Sequence, residues 1–421
     1  MRSLLLALTA VTALGGTLAA QTPDEPKDPV LREMMARQAR ECRPPGTPRS
    51  DYPKPGTREA GPATLRAYTP HPYRVTGSTD PQVSVREVVI SEEGCLIAIH
   101  RSDRVLDVWS NREGRLLFSR PDTDWGYERT GMAFSPDASV LAIAGQGGLL
   151  KVYDAASGTL LAEMDGKPHI DETVRREMGK GIDQDRRSVM ASVAFSPDNR
   201  RLVTTGNFGT VIVWDLASRR ARWARRMEPQ TPEPAMPGGN AVFTRDGQQI
   251  VVMGEQGMQV RSASTGEIVQ PFPVSSGATP FDADGPMEFT NSRPEEMAAS
   301  VDWPGLAVLG TTGAAREGGQ APRLRWIQIV NRHQLSPMYS FRVPEGLWHI
   351  AIRPEGGSLA GMRGDTVQVY SVMGPPEFVI TPDVVQGAAG RITRVLFGVS
   401  GRMYTLHEGP IPLLTWDLSP I

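Results

Sequence analysis

The 421-residue chain predicts an all-β fold made of seven four-stranded units joined in series. Two observations carry that prediction. The phrase Ala-Phe-Ser-Pro-Asp occurs at 133–137 and again at 194–198, each time followed by apolar alternation. A second phrase, an apolar alternation ending in an aromatic residue and a short polar turn, recurs between copies of the first. Repetition at a fixed period is the mark of an architecture built from one supersecondary unit.

The first phrase aligns on its Phe. Ile90, Phe134, Phe195, Phe243, Phe289, Ile352 and Phe397 take that place, at spacings of 44, 61, 48, 46, 63 and 45 residues. Four of the spacings lie near the mid-forties, so the unit is about 45 residues and two copies carry insertions. The second phrase ends on Trp109, Tyr153, Trp214, Arg261, Val330, Tyr370 and Trp416, once per copy and in strict order. Each copy therefore reads as strand, turn, strand, Gly-rich turn, strand, turn, strand. In Ser-Pro-Asp, Pro fixes φ and the flanking Ser and Asp offer oxygens to nearby N–H groups, which sets the turn between first and second strands. The segments following the second landmark, such as Asp-Ala-Ala-Ser-Gly at 154–158, set the turn between third and fourth strands. Gly there suits a positive φ.

With both landmarks placed, the chain resembles the WD-repeat β-propellers over residues 63–421, and Trp214-Asp215 and Trp416-Asp417 match the family's dipeptide literally. The resemblance implies a seven-bladed β-propeller of four-stranded blades. The Gly-His element that the family carries before the first strand is missing from every copy. An Asp in the turn between second and third strands is present only at Asp103 and Asp365. The family's hydrogen-bonded tetrad is accordingly expected to be mostly absent. The last copy stops after its third strand, which would leave an open edge. Residues 63–75 belong to no copy and are expected to supply the missing strand, closing the fold from the N-terminal side.

The ends set compartment and organisation. Residues 1–20 combine Arg2, an apolar run and a small-residue terminus ending in Ala19-Ala20, which reads as a secretory signal. The run is too short for a membrane span, and no later run approaches the required length. The mature protein is expected to be secreted or periplasmic. Export would let Cys42 and Cys95 form a disulfide, although Cys95 in an apolar run equally suits a buried thiol. Residues 28–42 read as a short helix and 43–62 as a Pro-rich linker.

Function is expected on loops. Those joining blade to blade, and those joining second to third strands, share one face of a propeller, and the elaborated segments 165–188, 273–286 and 311–323 all fall there. Contact residues on that face are expected to be Trp125, Tyr127, Arg175, Arg176, Arg186, Trp303 and Trp348, since aromatic and Arg side chains dominate binding surfaces. His100 and His407 fall at equivalent positions of the first and last copies, with His349 on the same side. They read as solvated rim residues, not metal ligands, because no carboxylate stands at ligand spacing. The basic segment 219–226 falls on an outermost strand, where charge guards an edge. "DADG" at 282–285 lacks the Glu of a calcium loop, and "GQGG" at 145–148 has no following helix to receive a phosphate. A net charge of −2 gives no reason to expect nucleic acid. The reading is an exported, monomeric, non-enzymatic scaffold for a protein or peptide, with no cofactor, no metal and no membrane span. The alternative is an exported propeller enzyme of hydrolase, lyase or quinoprotein type, with its site at the channel mouth.

Overall fold

The protein is described here from a computed structural model, which covers Arg66–Tyr68 and most of residues 83–417. Segments 1–65, 69–82, 122–130, 179–189, 228–239, 272–291, 300–304, 313–323, 381–391, 408–412 and 418–421, with several short turns, lie outside the described residues. The expected signal, helix and linker fall among them.

Among the described residues, all the strands are antiparallel and sort into seven four-stranded sheets. The first holds β2 (Val85–Ile90), β3 (Leu96–Arg101), β4 (Val105–Ser110) and β5 (Arg115–Pro121). The second holds β6 (Gly131–Phe134), β7 (Val140–Ala144), β8 (Leu149–Asp154) and β9 (Leu160–Asp165). The third holds β10 (Met190–Phe195), β11 (Arg201–Gly206), β12 (Thr210–Asp215) and β13 (Arg220–Arg226). The fourth holds β14 (Ala241–Phe243), β15 (Gln249–Gly254), β16 (Gly257–Ser262) and β17 (Ile268–Pro271). The fifth holds β18 (Ser292–Ala299), β19 (Gly305–Thr312), β20 (Leu324–Asn331) and β21 (Ser336–Val343). The sixth holds β22 (Leu347–Ile352), β23 (Ser358–Arg363), β24 (Thr366–Ser371) and β25 (Pro376–Ile380). The last is composite: β26 (Ile392–Phe397), β27 (Arg402–His407) and β28 (Leu413–Asp417) are completed by β1 (Arg66–Tyr68). Within 63–75, β1 makes the pairing expected of that segment, with Arg66 opposite Asp417 and Tyr68 opposite Thr415.

The core lies between sheets. Strand alternation turns one set of side chains toward each neighbour. Ala98, Leu106 and Val108 of the first sheet meet Leu141, Ile143 and Tyr153 of the second. Leu150 and Val152 meet Leu202, Ile212 and Trp214 of the third. Tyr404 and Leu406 of the last sheet close against Val88, Ile97 and Ile99 of the first. Innermost strands of neighbouring sheets pack side by side from β2 to β14 and from β18 to β26, β18 also meets β15 and β16 of the fourth sheet, and β26 returns to β2.

The recurring phrase is a turn held by its own side chains. Ser135, Ser196 and Thr244 accept the N–H five residues on, from Val140 (3.1 Å), Arg201 (2.9 Å) and Gln249 (3.0 Å). Their hydroxyls donate to Asp137, Asp198 and Asp246. The residue after the Asp takes a left-handed backbone in each case: φ is 56° at Ala138, 59° at Asn199 and 69° at Gly247.

Two expectations are corrected. The fifth copy does not start at Phe289, which lies outside the described residues. Its inner strand β18 ends at Ala299, opposite Leu306, as Phe195 stands opposite Leu202. The strand carries Met297 and two alanines where other copies carry larger apolar residues, so a Phe ten positions earlier imitates the landmark. Segment 165–188, read as a loop, begins as helix α1 (Lys167–Met178). The Gly166 carbonyl accepts Ile170 N–H (3.1 Å), the Asp165 carboxylate accepts Lys167 N–H (2.8 Å), and Pro168 is tolerated in the first turn. Among its described side chains, Ile170 is fully buried and anchors it.

Candidate interaction face

The innermost strands begin on the face that carries the long loops. Near those beginnings, β2, β10, β18, β22 and β26 each slip register by one residue. A bulge re-aims the side chains beside it. Here it places charged groups of neighbouring sheets within reach of one another. Arg394 of β26 donates to Glu87 of β2 across the seam between last and first sheets. Glu296 of β18 accepts the Ile350 N–H of β22 at 3.0 Å, and the same oxygen lies 3.4 Å from His349 Nδ1. Its neighbour Glu295 accepts Thr311 Oγ1 (3.0 Å) and Arg325 (2.5 Å).

His349 is the bulged residue of β22 and has a φ of 50°, a left-handed conformation rare for a side chain of its size. Its Nε2 is buried with no partner among the described residues. Trp348, immediately before it, is 38% exposed, with ring centroids 6.1 Å apart. An open indole on a bulge-stiffened strand, beside a carboxylate that also holds the next strand's backbone, can grip a partner by apolar contact and hydrogen bonding. Neither group of three or more His, Cys, Asp or Glu at metal-binding distance occurs among the described residues.

The other expected contact residues are distributed as follows. Arg175 and Arg176 lie on α1, and their side chains are outside the described residues, as are Trp125, Tyr127, Arg186 and Trp303. His100 and His407 are not solvated, being 2% and 4% exposed. They also diverge: His100 shares a face with Ala98, turned to the second sheet, while His407 bonds Thr405 (2.7 Å) on the face shared with Met403, turned to the sixth. Each is covered by the neighbouring sheet, which the repeat alone could not reveal. Cys95 is buried and disulfide-bonded, whereas Cys42 lies outside the described residues.

Sequence reading placed His349 on this side but missed Glu295 and Glu296, because the misplaced fifth landmark hid the start of β18. It also missed the replacement for the absent Gly-His element. Trp214 Nε1–H donates to Thr204 Oγ1 at 2.9 Å, and His169 of α1 meets the indole edge-on with centroids 6.3 Å apart. Gly166, three residues before His169, lets α1 approach: a Cβ there would stand 3.2 Å from the Trp214 ring. In the first sheet, burial alone would lower the Arg101 guanidinium, but the hydrogen bonds it donates to Asp103 and Asp107 hold it above its ordinary value.

A family model for the WD domain, G-beta repeat, matches residues 186–215, the span ending on Trp214-Asp215. The fold is also that of a solved structure, the β-propeller domain of Cps50 (Swd1) from Myceliophteria thermophila. The likeness covers 80% of this chain and 96% of that one, at TM-score 0.55 and 12% identity. The chain has a β-propeller fold similar to that of WD40-repeat proteins. No curated protein matches the chain. The matched span lies in the third sheet, whose Trp214, Thr204 and His169 associate. The other sheets keep the geometry through packing at their interfaces. No described helix is long and apolar enough to cross a membrane.

Proposed function

We propose that the protein is an exported, non-enzymatic, monomeric scaffold that binds a protein or peptide on the face bearing residues 165–188, 273–286 and 311–323. In this reading the sheets form one seven-bladed ring, shut by Arg66–Tyr68, and a Cys42–Cys95 bridge ties the N-terminal segment to the first blade. The supporting observation is Trp348: a large aromatic side chain left open to solvent at the start of an innermost strand, beside the strained His349 and the Glu296 carboxylate. Such an anchor, ringed by polar groups, is the usual centre of binding energy in a protein interface. The secreted or periplasmic location rests on the signal-like residues 1–20.

The test is affinity capture from the exported fraction with the wild-type protein, Trp348→Ala and a deletion of 179–188. A partner held by the wild type and lost from Trp348→Ala supports the reading. A partner retained equally by all three places the binding surface elsewhere and overturns it.

A further inference from the structure

The exposed side chains that the long-loop face does not use gather on one stretch of the rim. Among the described residues, four of the five large apolar side chains open to solvent lie on two outer strands: Leu160 and Leu161 on β9, Ile268 and Val269 on β17. Between those strands runs β13, the outer strand of the third sheet, which exposes Arg220, Arg222 and Arg225, with Arg219 exposed in the turn before it. The three strands are equivalent in their blades and carry the same one-residue bulge. Leu161, Arg222 and Val269 are the extra residues, standing clear of the ladder.

The third and fourth sheets are locked together here. Trp223 Nε1–H donates to the Ala263 carbonyl at 3.1 Å, and Arg225 Cγ stands 3.1 Å from where a Cβ on Gly266 would be. The arginines thus share a surface with Ile268 and Val269. Exposed acids are present nearby, at Glu163, Asp165 and Glu267, but Arg219, Arg220 and Arg222 form no ion pair with any described residue. Arg222 contributes only a longer-range attraction to Asp215, whose carboxylate is taken up by Ser218. Helix α1 packs on β12 and β13 yet leaves these arginines exposed.

We propose that this rim of the second to fourth sheets docks on an anionic lipid surface. The arginines would sit among the headgroups, and the two aliphatic pairs flanking them would enter the interface. Two features favour lipid over other anionic partners. A soluble polyanion would engage the arginines and leave the aliphatic pairs in water. A protein partner typically meets aromatic anchors, with Leu and Val under-represented, whereas a bilayer rewards any buried CH₂. The bulges also spoil β13 as a template for strand addition.

The measurement is co-sedimentation of the full chain with phosphatidylcholine vesicles and with phosphatidylcholine–phosphatidylglycerol vesicles, at low and high salt. Binding is expected only to the anionic vesicles, and weaker at high salt. Each arginine near the surface is worth about five-fold in partitioning, so the variant R220Q/R222Q/R225Q is expected to bind roughly a hundred-fold less. L161S/V269S is expected to bind less with charge unchanged. All five positions are exposed, and unchanged melting of both variants serves as the folding control. No binding of the wild type to anionic vesicles, or equal binding by the arginine variant, overturns the proposal. So does retention on heparin at matched salt without vesicle binding, which identifies a soluble polyanion.

Discussion

At the residue scale, the repeated turns concentrate both strain and charge stabilisation. Arg219 occupies the turn position held by Gly158 and Gly266 in the second and fourth sheets, and all three have positive φ: 56°, 70° and 76°. A left-handed L-residue costs about 1–2 kcal/mol, and Arg219 is exposed, so Arg219→Gly should raise stability by about 0.5–1 kcal/mol in denaturant titration. Gly158 is the converse. A Cβ there would stand 2.7 Å from the Phe118 ring of the preceding sheet, as one on Gly266 would from Trp223. Gly158→Ala should therefore destabilise by at least ~2 kcal/mol, read as a lowered denaturation midpoint. The turn carboxylates add a pH dependence. Burial pushes Asp137 up, but the Ser135 and Ser139 hydroxyls and the Ser139 amide outweigh it and hold the carboxyl below its usual range. Asp198 is likewise pushed up by burial and brought down by Ser196, the Arg200 amide and Arg201. Depressed carboxyls stabilise the fold fully above the unfolded value of about 3.9, and that contribution is lost as pH falls through their lower folded values. An Asp137→Asn/Asp198→Asn protein should show a shallower loss of melting temperature below about pH 4 than the wild type.

At the element scale, one buried side chain does the work of an aromatic. Arg261 stands where five of the other copies carry Trp or Tyr, and it is 3% exposed. Its guanidinium donates to Gln259 Oε1 (2.8 and 3.1 Å), the Gly266 carbonyl (2.7 Å) and, across the sheet boundary, the Arg226 carbonyl (2.8 Å). Arg261→Ala would strand several buried acceptors and should cost about 3 kcal/mol, with the loss seen in equilibrium unfolding. Elements of this kind also mark how much could be read in advance. Period-two alternation and the Ser-Pro-Asp turns located most strands, because both are local properties of a few adjacent residues. The start of β18 was misread because what fixes it is the neighbouring sheet. Helix α1 was missed because it sits in an insertion between copies, where the repeat offers no template, although Ile170, Val174 and Met178 recur at helical spacing. Reliance on local pattern also hid Glu296 and the burial of His100: these depend on side chains of another sheet, brought close by pairing no local pattern encodes.

At the scale of the whole molecule, the propeller is held together by a sheet assembled from both ends of the chain. Deleting residues 63–75 removes β1, leaves β28 as an unpaired edge, and should abolish the cooperative melting transition measured by circular dichroism. The Arg394–Glu87 contact beside this seam joins groups 307 positions apart in sequence, so β26 is made long after β2. Contacts of such long range are slow to form. A growing chain therefore carries finished sheets while its first sheet still lacks the neighbour that buries Val88, Ile97 and Ile99. Until β26–β28 arrive, that apolar flank is available to any hydrophobic surface in the cell, so the synthesis of this protein has a defined window in which a holding chaperone, or delayed collapse, decides its yield.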